Sequence, residues 1–174
     1  MNRLLSLFFV GALFFFTACD AVPVRFDIDV DATTTVEKGS ILDQLSSNFG
    51  FSNFTTFDVS STQEFQNNNT QKNQVVDAKI AKLTLTIVSP SGQNFDFLDK
   101  LSFYIEAPGL EKKLVATKDF AKGLTTVDMD IIDLDLAPYI KADSFSFTTD
   151  VTGRRPDVET QIKASLKLNI GAKL

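Results

Sequence analysis

The 174-residue chain contains no histidine, no tryptophan, one cysteine, two tyrosines and two methionines. Each scarcity removes a class of chemistry. Without histidine, Ser-His-Asp and Cys-His centres cannot be assembled, and zinc loses its commonest nitrogen ligand. A single cysteine permits neither an internal disulfide nor a cysteine metal cluster. Two tyrosines are too few for a sugar-stacking platform. The eight glycines are scattered through turns and chain ends, with no phosphate-cradling loop among them. Positive charge is in deficit too: 17 Lys and Arg stand against 22 Asp and Glu, for a net charge of -5. Such a surface repels phosphate backbones, so nucleic acid is not an expected partner.

What is present begins at the amino terminus. Met1-Asn2-Arg3 is a short basic start, and Leu4 to Phe16 is a largely apolar run. That run is shorter than the roughly 20 residues of a membrane-spanning helix but fits the core of a secretory signal peptide. Thr17-Ala18 then places small residues directly before Cys19, the only cysteine. The arrangement resembles the lipobox of bacterial lipoprotein precursors, although Phe16 stands where Leu is commonest. The resemblance is confined to residues 1–19. It implies a signal peptide over 1–18, a diacylglycerol on the Cys19 thiol, cleavage before Cys19 and a lipidated tether over 19–23. The expected localisation is the bacterial cell envelope, with the membrane as a partner through palmitate-type acyl chains. Asp20 resembles an inner-membrane retention signal of enteric bacteria, while other bacteria read that position differently, so inner and outer membrane both stay open. One acyl chain binds marginally and two or three anchor stably, since each buried methylene contributes about 0.8 kcal/mol.

Beyond the tether, residues 24–174 form one domain dominated by period-2 alternation. Val24, Phe26, Ile28 and Val30 share one face of a first strand; Arg25, Asp27, Asp29 and Asp31 share the other. At the far end of the sequence Val158, Ile162, Ala164, Leu166, Leu168 and Ile170 alternate with polar residues. Between them lie Leu83-Leu85-Ile87, Leu101-Phe103-Ile105, Leu114-Ala116, Val127-Met129-Ile131 and Phe145-Phe147. They are separated by turn-rich segments such as "SPSGQN" and "TGRRPD". The alternation changes phase at Ile131-Ile132, which predicts either a β-bulge or a strand crossing between sheets. Ser40 to Gly50 carries the cap and apolar stripe of one short helix. Asn53 to Gln74 reads as an exposed loop. The fold class expected is all-β: an antiparallel two-sheet β-sandwich, immunoglobulin-like or jelly-roll, with one short covering helix.

Few side chains suggest chemistry. The acidic ladders Asp27-Asp29-Asp31 and Asp128-Asp130-Asp133-Asp135 could attract calcium. Strand neighbours two apart nevertheless lie about 6.6 Å apart along a line, whereas a calcium cage needs converging oxygens. They are read as solvated faces, and no metal and no cofactor is expected. Phe49, Phe51, Phe54 and Phe57 are irregularly spaced and form the candidate partner or ligand contact. No catalytic residue is assigned. The function expected is a lipid-anchored, non-catalytic envelope protein that binds an unknown protein or glycan or plays a structural role. The alternatives are a carrier of an apolar ligand and a carboxylate-dependent hydrolase.

Overall fold

The computed structural model describes residues 22–39 and 61–173. The helix expected from Ser40 to Gly50 lies outside them, as do Cys19 and the four phenylalanines from Phe49 to Phe57. Within the described residues the strands are β1 (Val24–Val36), β2 (Val75–Ser89), β3 (Leu98–Glu106) and β4 (Lys113–Asp119), followed by β5 (Thr126–Asp128), β6 (Asp130–Ile131), β7 (Ser146–Gly153) and β8 (Thr160–Ala172). Two short helices join them, α1 (Gln63–Asn67) and α2 (Ala137–Lys141). The expected antiparallel β-sandwich is therefore the fold. One four-stranded sheet has the order β1-β8-β2-β5 and the other the order β6-β4-β3-β7.

All 13 residues of β1 pair with β8, from Val24 opposite Ala172 to Val36 opposite Thr160. In the immunoglobulin arrangement the first and last strands belong to different sheets. Here they are partners, and β2–β3, β4–β5 and β7–β8 each pass from one sheet to the other. That wrapping is of the jelly-roll kind. The pairing also defines two ends. Val24, Val75, Glu106, Lys113, Ser146 and Ala172 lie at the entry end, where β1 begins. Val36, Ser89, Leu98, Asp119, Gly153 and Thr160 lie at the far end. A 13-residue strand rising about 3.3 Å per residue separates the ends by about 40 Å.

Side-chain alternation explains why these segments are strands. On β8, Ile162, Ala164, Leu166, Leu168 and Ile170 are buried, and they meet Leu101, Phe103 and Ile105 of the opposite sheet in one core. Burial of each large side chain contributes roughly 1.5–3 kcal/mol. Val158, expected to face inward, is 42% exposed because β8 starts only at Thr160. On β2, Ala78 and Ile80 are buried on even numbers, whereas Leu83 and Leu85 are buried on odd ones. A register shift between Ile80 and Lys82 accounts for this: Ala81 is the extra residue that exchanges the faces. A second bulge makes Val115 and Ala116 both buried and turns Leu114 outward, contrary to the expected Leu114-Ala116 face. The phase change near Ile131 is a strand crossing. β5 pairs with β2, β6 pairs with β4, and the chain changes sheet at buried Met129.

The polar segment before β2 is not simply a loop. Thr62 caps α1, and Phe65 turns inward to stack edge-on against Phe26 at 5.5 Å between ring centroids. Leu136 donates its backbone N–H to the Ala78 carbonyl, and α2 buries Tyr139 and Ile140 at the entry end. No helix among the described residues is long and apolar enough to cross a membrane.

Candidate functional site

The outer face of the β1-β8-β2-β5 sheet carries the Asp27-Asp29-Asp31 ladder and Asp128, whereas Asp130 lies on β6 of the other sheet with Asp133 and Asp135 just beyond it, and cations meet both ladders. Lys167 on β8 stands 2.8 Å from Asp29 and 3.7 Å from Asp27, and Lys163 stands 2.8 Å from Asp31. The Ser165 hydroxyl donates to Asp31 and the Asn169 amide to Asp27. Hydrogen bonds from Lys163 first, then Ser165, hold the Asp31 carboxyl below the usual carboxylate range. In the second ladder, the Thr84 hydroxyl donates to Asp128 at 2.6 Å and is the main reason its carboxyl is lowered. Lys118 pairs with Asp130 and Lys79 with Asp133. These are charge-matched rows on solvated surface, with carboxylates pointing toward cations and not toward a common centre.

Asp135 departs from the ladder reading. One carboxylate oxygen accepts both the Ala78 and the Ala137 backbone N–H at 3.0 Å. It joins the central strand β2 to the first turn of α2, a structural task that alternation cannot reveal.

The concavities among the described residues include three. At the entry end, a cleft of about 390 Å³ lies between the β3–β4 hairpin and the start of β7, lined by Leu110, Pro108, Phe145, Glu106 and Lys112. The Tyr139 hydroxyl donates to the Glu111 carbonyl in the adjoining β3–β4 hairpin, and the Lys112 ammonium there sits 4.7 Å above the Tyr104 ring. On the outer face of the second sheet, a shallow depression of about 310 Å³ runs past Ser102, Tyr104, Asp150 and Lys100.

The third is the far-end cleft, about 250 Å³, between the β2–β3 connection and the "TGRRPD" turn. Gln93, Asn94, Asp96, Arg154, Arg155 and Asp157 line it, with Phe97 and Pro156 as apolar floor. The local sequence explains its shape. Gly153 has φ +151 and a Cβ there would run into the Phe97 carbonyl oxygen, so only glycine lets β7 close onto the start of β3. The next residue donates its N–H to that same carbonyl, Arg154 N to Phe97 O at 2.9 Å. Gly39 N–H then holds the Pro156 carbonyl at 3.0 Å, and Pro156 is buried. Both arginine side chains are thereby presented outward from a fixed backbone. On the facing wall, Gln93 donates to the Thr160 hydroxyl, and Asp96 accepts the Gly123 N–H. The sequence marks this segment as a turn, and nothing local in it shows that it faces residues 93–97 across the sandwich.

No protein-family model matches the chain, and no curated protein matches it. Among solved structures, the chain is similar to the decameric BFDV capsid protein at 7% identity and TM-score 0.42, over 87% of this chain and 99% of that one. It is similar to a protein of the semi-empty virus-like particle of the Macrobrachium rosenbergii nodavirus at 12% identity and TM-score 0.35, over 99% and 96%. A 60-mer form of the BFDV capsid protein matches at 10% identity and TM-score 0.37, over 86% and 94%. The sandwich assignment rests on the strand pairing itself.

Proposed function

We propose that this chain is a lipid-anchored, non-catalytic envelope protein whose sandwich displays a binding cleft at the end away from its anchor. The observation that carries the reading is the placement of the two ends. β1 starts at Val24, with only Asp20 to Pro23 between it and Cys19, so an anchor on Cys19 would hold the entry end near the membrane. The Arg154–Arg155 cleft lies at the far end of the same strands, about 40 Å away. Acyl chains on Cys19 supply retention, and the rigid sandwich supplies reach.

The core argues against a carrier for an apolar ligand, because Phe65, Phe95, Phe103, Leu83 and Ile140 fill it with fully buried side chains. Labelled palmitate should enter the wild-type chain and be lost in Cys19→Ser, with the wild type sedimenting with membranes and the variant released. Equal labelling of both proteins, or a variant that stays with the membrane, overturns the anchor. Hydrolysis is the second reading, since Asp96 and Asp157 both line the far-end cleft. Products accumulating when the full chain is incubated with acidic oligosaccharides would replace the non-catalytic reading.

A further inference from the structure

We infer that the far-end cleft binds a sugar acid: a hydroxylated ring bearing one carboxylate, such as a uronic acid unit of a glycan. The inference builds on the binding-module reading but is independent of the lipid anchor.

The argument starts from the arginines. Arg25 is committed to Asp77 in a two-pronged pair at 2.8 and 2.9 Å. Arg155 stands 3.8 Å from Glu37. Arg154 has no side-chain partner among the described residues, although its backbone is fixed by Phe97 and by the glycine before it. A guanidinium fork held on a rigid turn matches a carboxylate through two parallel N–H donors. The ligand therefore carries an anion.

The other side chains limit which anion. Asp96 and Asp157 bring two negative charges into the lining, so it is nearly neutral as a whole. A dianionic phosphate or a dense polyanion would meet those carboxylates and the net charge of -5 unfavourably. A single carboxylate surrounded by hydroxyls meets them well, because hydroxyls donate to Asp96 and Asp157 while the carboxylate faces Arg154. Asn94 uses its carbonyl oxygen on the Asp96 N–H, which leaves its amide nitrogen to donate to a further ring oxygen. Pro156 and Phe97 offer an apolar floor for the ring's C–H face. A cleft of about 250 Å³ is smaller than the roughly 300–1,000 Å³ of drug-sized sites, and so suits a single ring.

The test titrates the full chain, kept in detergent micelles, with galacturonate, glucuronate and N-acetylneuraminate. Galactose, glucose and inorganic phosphate serve as controls at constant ionic strength. At least one sugar acid should saturate, with its neutral counterpart about tenfold weaker or more. Arg154→Ala should cost that ligand about tenfold in affinity, and Arg154→Lys should recover only part, with melting temperatures unchanged. Lys79→Ala, on the outer sheet face, should bind as the wild type does. The inference is overturned if no sugar acid saturates in the millimolar range, if neutral sugars bind equally, if phosphate binds more tightly than every sugar acid, or if Arg154→Ala binds normally. Palmitate labelling of Arg154→Ala should match the wild type, so a failed titration and a failed anchor are read separately.

Discussion

Arg25 on β1 and Asp77 on β2 are not on neighbouring strands, yet their side chains meet at 2.8 and 2.9 Å above Gly171 of β8. Both residues stand opposite Gly171 in register, and a Cβ on that glycine would lie 2.7 Å from an Asp77 oxygen. The glycine is there because the ion pair occupies the space its side chain would fill. An exposed pair of this kind contributes about 0.2–1 kcal/mol. Strand glycine otherwise costs roughly 0.5–1 kcal/mol relative to alanine.

A reversal of sign follows. Gly171→Ala in the wild type should be neutral or destabilising by less than about 1 kcal/mol, because it displaces Asp77. In an Asp77→Ala background the same substitution should stabilise, by roughly 0.5 kcal/mol. Urea melts of the four proteins in this cycle decide it. Additive effects would show that the glycine and the ion pair are unrelated.

Much of the sandwich is legible in the sequence because alternation is a local signal. Leu101-Phe103-Ile105 and Leu166-Leu168-Ile170 face inward as their spacing predicts. Bulges are where the signal fails. Ala81 and Val115 each insert one residue, and the face of everything beyond then depends on how the partner strand is aligned, which is not a local property. Val158 departs from its expected face for a similar reason: it continues the even-numbered pattern, but β8 begins two residues later. The far-end cleft is less legible still. Arg154 and Asp96 are remote in sequence, and only the passage of β2–β3 and β7–β8 between sheets brings their turns together.

The last strand separates interior from exterior sharply. Leu168→Asp should cost several kcal/mol, comparable to the whole stability of a domain, because it buries an unpaired charge at a fully enclosed position. Strand alternation alone would make Lys167→Asp a neutral surface change. The ladder makes it otherwise, since a third carboxylate would enter between Asp27 and Asp29. Its cost should exceed that of Lys167→Ala and shrink with added salt. A Lys167→Asp protein that melts like Lys167→Ala at low salt would contradict the ladder.

Stability should be flat across the neutral range and fall at both extremes. Asp31 and Asp128 have lowered carboxyl pKa values, caused chiefly by the hydrogen bonds from Lys163 and Thr84. Their contribution is present above the unfolded carboxylate value near pH 4 and is lost as pH falls through the lowered folded values. Lys79, Lys113 and Lys167 are raised, chiefly by hydrogen bonds to Asp133, Glu111 and Asp29. Theirs is complete below the unfolded lysine value near pH 10.4 and disappears as pH rises through the raised values. All five groups are solvent-facing and screened, so both limbs should be shallow and weaker in salt. The chain has no histidine to add a step between them. Urea midpoints from pH 3 to pH 11 measure this profile, and a transition centred between pH 6 and 7 would contradict it.

Asp133 and Asp135 look equivalent in the sequence and should behave differently on mutation. Asp133 is a highly exposed partner of Lys79, and its replacement by alanine should change stability by no more than about 0.5 kcal/mol. Asp135 instead accepts two backbone N–H groups, from Ala78 in β2 and Ala137 in α2. Removing the carboxylate leaves both donors seeking another acceptor, in a place where α2 covers the end of the core. Hydrogen bonds to a charged group contribute about 1.5–3 kcal/mol in protected sites, and the exposure of Asp135 lowers the expected loss for Asp135→Ala to about 1 kcal/mol. Asp135→Asn keeps an oxygen acceptor in the same place and should recover about half of that loss. Hydrogen exchange adds a local readout: the Ala137 amide and the rest of α2 should lose protection in Asp135→Ala and retain it in Asp133→Ala. Equal melts and equal protection in the two alanine variants would return Asp135 to the solvated face.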